Sequence, residues 1–65
     1  MGRYFFHVHL GQTMERDLVG LELDDLLEAV ICAQRARAVI VIEDAVDQLW
    51  LEIADESGRV LAKIA

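Results

Sequence analysis

The stretch LWLEIADESGRVLAKI, from Leu49 to Ile64, sets the architecture of this chain. Apolar side chains recur at every second residue from Leu49 to Ala54, which is the period of a strand with one buried face. The polar group that follows begins with Asp55, whose side chain can bond its own backbone, and ends with Gly58, which can adopt a positive φ. We therefore expect a turn there, with Arg59–Ile64 returning as the last strand of an antiparallel hairpin. An acidic site is the alternative interpretation of the same polar group.

The first residues predict another strand, RYFFHVHL from Arg3 to Leu10, because aromatic and β-branched residues favour the pleated backbone. Alternation places two sets of side chains on opposite faces: Tyr4, Phe6, Val8 and Leu10 on one, and Arg3, Phe5, His7 and His9 on the other. A turn at Gly11–Gln12 leads into a weaker strand from about Thr13 to Leu23, which is broken near Gly20.

A helix is predicted from Asp24 or Asp25 to about Ala45. With Asp25 as the N-cap, Glu28 occupies the third helical position and forms a carboxylate version of the capping box. The β-branched run from Ala38 to Ile42 also suits a strand. Helix is preferred, because the upstream pattern is helical and no Gly, Pro, Asn or Ser occurs between Asp24 and Val46.

This helix carries two apolar stripes, which implies burial on two sides. One stripe holds Leu27, Val30, Ile31, Ala38, Val41 and Ile42, and the other holds Leu26, Ala29, Ala33, Ala36 and Ile40. One side can pack on the sheet and the other needs a partner. The fold class expected is α+β, a single domain over residues 1–65, with a four-stranded antiparallel sheet, one helix on one face and the order ββαββ.

Composition points to self-association. A chain of 65 residues buries a limited core, and a single cysteine, Cys32, excludes an internal disulfide. With 55% hydrophobic residues, a homo-oligomer, most simply a homodimer, is the expected source of added stability. The net charge of −6 argues against nucleic acid and anionic membranes as partners, and we expect a cytoplasmic location.

Candidate sites follow from this arrangement. His7 and His9 share one strand face, and with Glu52 they are candidate ligands for a divalent metal; half-exposed or interfacial histidines are the alternative. The interface is predicted to use residues of the open sheet face or of one helix stripe: Phe5, His7 and Trp50, or Leu26, Ala33 and Ile40. An acidic patch could dock a basic protein: Asp17, Glu22, Asp24, Asp25 and Glu28. Cys32 is interpreted as a buried, inert thiol.

Three segments in order resemble a known family. The first is RYFFHV at Arg3–Val8, and the third is Trp50 followed by Asp55, Glu56 and Gly58. The second is a spaced motif that runs into the helix: Asp17, Gly20, Glu22, Leu23, Asp25, Leu26, Glu28 and Ala29. Together they resemble the short proteobacterial proteins, common in rhizobia, that are grouped as domain of unknown function 6894. The resemblance implies a small α+β domain and supplies no catalytic residues. His9-Leu10-Gly11 departs from the Arg-Asp-Gly that members of that family often carry.

The function expected is therefore a small non-enzymatic protein-interaction module without a cofactor. A metal-binding or small enzymatic protein, with its histidine site at a dimer seam, is the alternative.

Overall fold

The computed structural model describes the backbone of residues 2–44 and 48–65, and the side chains of residues 2–40 and 48–65. Five strands and one helix follow each other along the chain: β1 Gly2–Leu10, β2 Thr13–Glu15, β3 Leu21–Leu23, α1 Leu26–Asp44, β4 Leu49–Ala54 and β5 Val60–Ile64. The α+β class with one helix and an antiparallel sheet is confirmed. The expected four strands in the order ββαββ are corrected to five in the order βββαββ, because the weak second strand divides into β2 and β3.

β1 organises the sheet. It pairs antiparallel with β4 over six residues, from Phe5 opposite Ala54 to Leu10 opposite Leu49, and β4 pairs in turn with β5. The short strands β3 and β2 pair with the beginning and the end of β1, respectively. Residues 16–20, which connect these two short strands and are here named the connecting loop, lie between the paired segments.

The core lies between α1 and one face of the sheet. Ala29 and Ala33 of α1 pack there against Leu51 and Ile53, and all four are almost completely buried. The partly buried side chains around them are Tyr4, Phe6, Val8, Leu23, Val30, Ala62 and Ile64. The predicted alternation of β1 and β4 is thereby confirmed. Two alanines form the contact face of the helix because small side chains let its backbone approach the sheet closely.

Helix is confirmed over strand for Ala38–Ile42, since α1 continues to Asp44; the predicted end at Ala45 lies outside the described residues. The backbone N–H of Glu28 donates to the Asp25 carboxylate at 2.9 Å, which confirms the N-cap. The carboxylate of Glu28 accepts from the N–H of Asp24 at 3.1 Å. In a regular capping box this carboxylate would accept from the N–H of the N-cap residue, Asp25. Here it accepts from the residue before the N-cap.

The predicted hairpin turn is also confirmed. The N–H of Gly58 donates to the carbonyl of Asp55 at 3.0 Å, and Gly58 has a φ of 86°. The Asp55 carboxylate accepts from the N–H of Ser57 at 2.9 Å and from its hydroxyl at 2.6 Å. Its oxygens therefore serve the turn, which favours the structural interpretation over an acidic site.

Candidate functional site

The connecting loop is held against β1 by the carboxylate of Asp17. One of its oxygens accepts from the backbone N–H groups of Val19 and Gly20, both at 3.0 Å. The other accepts at 3.2 Å from the N–H of Phe6, a residue of β1 between the segments that pair with β3 and β2. Burial alone would raise the pKa of Asp17, but the backbone N–H groups of Gly20, Phe6 and Val19 together hold that pKa below its usual value. Asp17 thus substitutes for the missing strand pairing.

His7 is fixed by the same loop. Its side chain is 8% exposed, and its Nδ1 accepts the backbone N–H of Asp17 at 3.1 Å. A neutral imidazole has one nitrogen with a free lone pair, and here that lone pair is already bonded. The ring therefore carries its proton on Nε2, and either ring nitrogen could ligate a metal only if the contact with the loop broke.

This geometry does not favour the predicted metal site. His7 and Glu52 are opposite each other across β1 and β4, and His9 Nε2 lies 3.8 Å from a Glu52 oxygen. Among the described residues, however, no group of three or more His, Cys, Asp or Glu side chains is arranged to hold a metal ion. The three residues share a sheet face, as expected, without converging on one point.

Half of the open sheet face is covered by the connecting loop. A Cβ built on Gly20 would lie 2.8 Å from Arg3 Cγ and 2.9 Å from Phe5 Cε2, so the loop backbone rests directly on these side chains. The Arg3 guanidinium donates to the carbonyl of Val19 at 2.9 Å. Phe5 and His7, two of the predicted interface residues, therefore contact this loop.

The other half of that face is centred on Trp50. Its ring stacks on His9, with centroids 3.7 Å apart and an interplanar angle of 7°. The Lys63 ammonium lies 5.1 Å from the Trp50 ring centroid, within cation–π range. Trp50 is half-buried. Its neighbours leave a polar, charged rim here rather than a continuous apolar surface.

The outer side of α1 is a different kind of surface. Leu27 is 67% exposed and Ile31 is 39% exposed, and Gln34 and Ala38 are also exposed. At 100° per residue, these four positions lie opposite the buried Ala29 and Ala33. They form an exposed, mostly apolar strip, named here the outer stripe. The sequence grouped Leu27, Ile31 and Ala38 with Val30, Val41 and Ile42 and did not include Gln34. The side chains of Val41 and Ile42 lie outside the described ones.

The structure separates the two predicted stripes only in part, because Val30 of the first stripe packs against the core and Ala36 of the second is exposed. Ala33, predicted in the interface, is fully buried in the core; Ile40 is half-buried, and Leu26 is 37% exposed beside them. Ala29 and Ala33 of that stripe pack on the sheet of their own chain, whereas Leu27 and Ile31 of the other stripe remain exposed. Side-chain size carried the missing signal, because the stripe with more alanines is the one that can approach the sheet.

The acidic patch has internal roles at three of its five positions. Asp17 binds the connecting loop, and Asp25 and Glu28 cap the start of α1. Glu22 and Asp24 are exposed, and their carboxylates make no hydrogen bond to the described residues. The role of Asp17 was missed by sequence reasoning, although an aspartate three residues before a glycine is a recognisable turn signal.

Cys32 is half-buried and lines a cavity of about 290 Å³ with Leu23, Glu28, Ile31 and Arg35. The charged groups in this lining are the Glu28 carboxylate and the Arg35 guanidinium. The expectation of a buried thiol is corrected to a half-buried one. Among the described residues, no helix combines the length and apolar content that crossing a bilayer requires.

These features describe a small two-layer α+β domain whose described polar networks hold its loops and the helix start in place. Residues 3–65 match the family described as Domain of unknown function (DUF6894). The chain belongs to this family, as the three sequence segments indicated. No curated protein matches the chain, and no solved structure does.

Proposed function

We propose that this chain is a non-enzymatic protein-interaction module that forms a homodimer through the outer stripe of α1. The exposure of that stripe is the observation that carries the proposal: α1 is apolar on both sides, and its own sheet covers only one. Burying a leucine side chain contributes about 1.5–3 kcal/mol, and two copies of Leu27 are buried in a symmetric pair. A location in the cytoplasm is part of the proposal, since Cys32 is free and reducing compartments keep thiols in that state.

The open sheet face is the weaker candidate for the same role. The connecting loop occupies its Phe5 and His7 half, and the Trp50 half is bordered by Lys63 and Glu52. A partner that docked there would have to displace the loop or desolvate charges, and both cost free energy. The outer stripe requires neither.

Aspartate substitutions at two exposed leucines test this proposal. Leu27→Asp places a charge in the outer stripe, so we expect the dimer to weaken by about a hundredfold or more. Leu18→Asp is the matched control, because Leu18 is 85% exposed in the connecting loop, away from α1. Sedimentation equilibrium of the two variants and the parent chain measures the effect. If both substitutions weaken the dimer equally, or if neither weakens it, the assignment of the interface to α1 is contradicted.

The metal-binding alternative is tested separately. Elemental analysis of protein purified without an affinity tag should find no stoichiometric zinc or nickel, because the lone pair of His7 is bonded to the loop. Metal that is retained by the parent chain and lost in His7→Ala would overturn that expectation.

A further inference from the structure

We infer that the two copies of α1 pack antiparallel, with Glu28 of each chain paired to the partner's Arg35. This inference rests on the proposed function and specifies its geometry. Its first support is spacing: Leu27, Ile31, Gln34 and Ala38 follow one another at intervals of four, three and four residues. That is the spacing of the core positions of a coiled coil, here over about two heptads.

Side-chain size distinguishes the possible alignments of two such stripes. An antiparallel pair centred between Ile31 and Gln34 sets Leu27 opposite the partner's Ala38 at both ends. A large side chain of the stripe then meets the smallest, so the two helices can stay at an even separation. Ile31 meets the partner's Gln34 in the central layers, where the long amide side chain can reach the edge of the interface and remain solvated.

Charge supplies the second support. Glu28 and Arg35 are both exposed, and they are seven residues apart, so they lie on the same flank of the stripe. In an antiparallel two-fold pair, residues on the same flank face each other. Each Glu28 then meets an Arg35 of the partner, once at each end of the interface. The surface is therefore complementary to a second copy of itself.

A parallel arrangement lacks this complementarity. It brings one flank of a helix against the opposite flank of its partner, so Arg35 would lie near the partner's Val30. No opposite charge is offered at that position. In the antiparallel pair, the oxygen of Glu28 that does not accept from Asp24 remains free for the partner.

Mixing two charge-reversed variants tests this geometry. In a homodimer of Glu28→Lys, each introduced lysine faces Arg35 of the partner. In a homodimer of Arg35→Glu, each introduced glutamate faces Glu28 of the partner. We expect each homodimer to be about tenfold weaker than that of the parent chain, as two repelling pairs at an exposed interface would produce. A mixture of the two variants restores an opposite-charge pair at both ends, so heterodimers should exceed the statistical fraction in native mass spectrometry.

Arg16→Glu is the matched control, since it makes the same charge change on the exposed connecting loop and should leave dimerisation unchanged. Arg35→Glu keeps the helix cap intact, so its result does not depend on the capping role of Glu28. Dimers that form equally well in all variants, with no preference for the heterodimer, would overturn the antiparallel pairing while the proposed function stands. A parent chain that remains monomeric would overturn both.

Discussion

At the scale of single residues, Asp17 has the most consequential side chain in the described part of the chain. Its two oxygens accept three backbone N–H groups, and its own N–H fixes the ring of His7. An acidic residue at this position is therefore required by the local backbone. The sequence placed it in an acidic patch, because the partners of its carboxylate become visible only when β1 and the connecting loop are brought together.

Asp17→Asn should lower the free energy of unfolding by about 2 kcal/mol. The amide keeps one acceptor oxygen but presents an NH₂ group to a backbone N–H, so one donor loses its partner. Glu15→Gln is the matched control, since Glu15 is exposed and its carboxylate makes no hydrogen bond to the described residues; we expect a change within about 0.5 kcal/mol. Urea unfolding measures both. A cost for Asp17→Asn no larger than that of the control would contradict the role assigned to Asp17.

Stability should also fall in acid because of two aspartates. The pKa of Asp55 is lowered by the hydroxyl of Ser57 and the N–H of Arg59, and that of Asp17 is lowered as described above. A carboxyl group with a lowered folded-state pKa adds stability above its unfolded pKa, and this stability is lost as the pH falls through the folded value. The loss should therefore occur below the usual aspartate value of 3.8.

Urea midpoints measured from about pH 5 to about pH 2 check this dependence. Asp17→Asn should flatten the acid side of the profile, because one of the two titrating contributions is removed. A profile parallel to that of the parent chain would show that Asp17 does not carry the acid sensitivity.

At the scale of elements, the strands and the helix were predictable and the connecting loop was not. The alternation in Arg3–Leu10 and Leu49–Ala54 specified the inward faces correctly, because a period of two leaves one solution for a half-buried strand. The division of the second strand could be placed only near Gly20. A loop that folds back over the sheet depends on contacts with Arg3, Phe5 and His7, distant in sequence, and these leave no local pattern.

Gly20 of the connecting loop and Gly58 of the turn between β4 and β5 provide a matched pair of substitutions. Gly20 has a φ of 75° and Gly58 a φ of 86°, so alanine is strained at both positions, by about 1 kcal/mol. Only at Gly20 would the added Cβ also meet other atoms, at 2.8 Å from Arg3 and 2.9 Å from Phe5, whereas nothing lies within 4 Å at Gly58. Gly20→Ala should therefore cost about 1–3 kcal/mol more than Gly58→Ala.

Thermal or urea unfolding of the two variants gives this difference directly. Equal costs would mean that the loop can lift from Phe5 at little expense, and the open sheet face would again be accessible to a partner.

At the scale of the whole molecule, the excess of apolar side chains is explained by their position. Among the described side chains, the large ones that are buried almost completely are Leu49, Leu51 and Ile53. Leu27 and Ile31 remain exposed on the opposite side of the helix that covers them. Composition and the double stripe predicted that a surface of this kind exists. Which stripe faces the sheet could not be read from periodicity, since both stripes have the same period.

For the candidate histidine site, the sequence predicted the position of the side chains but not their chemistry. Its residues were placed correctly on one face of the sheet, but their chemistry depends on what covers them. The backbone N–H of Asp17 donates a hydrogen bond to Nδ1 of His7, and Trp50 stacks on His9. A spacing rule predicts which face a side chain lies on and does not predict which of its atoms are already bonded.

The absolute molar mass in solution, measured by light scattering after size exclusion at two protein concentrations, tests the homodimer most directly. The chain has a mass of 7.3 kDa, so we expect a value approaching twice 7.3 kDa that falls toward 7.3 kDa on dilution. A mass of 7.3 kDa at both concentrations, including the higher one, would contradict the homodimer and leave the outer stripe of α1 without its proposed partner.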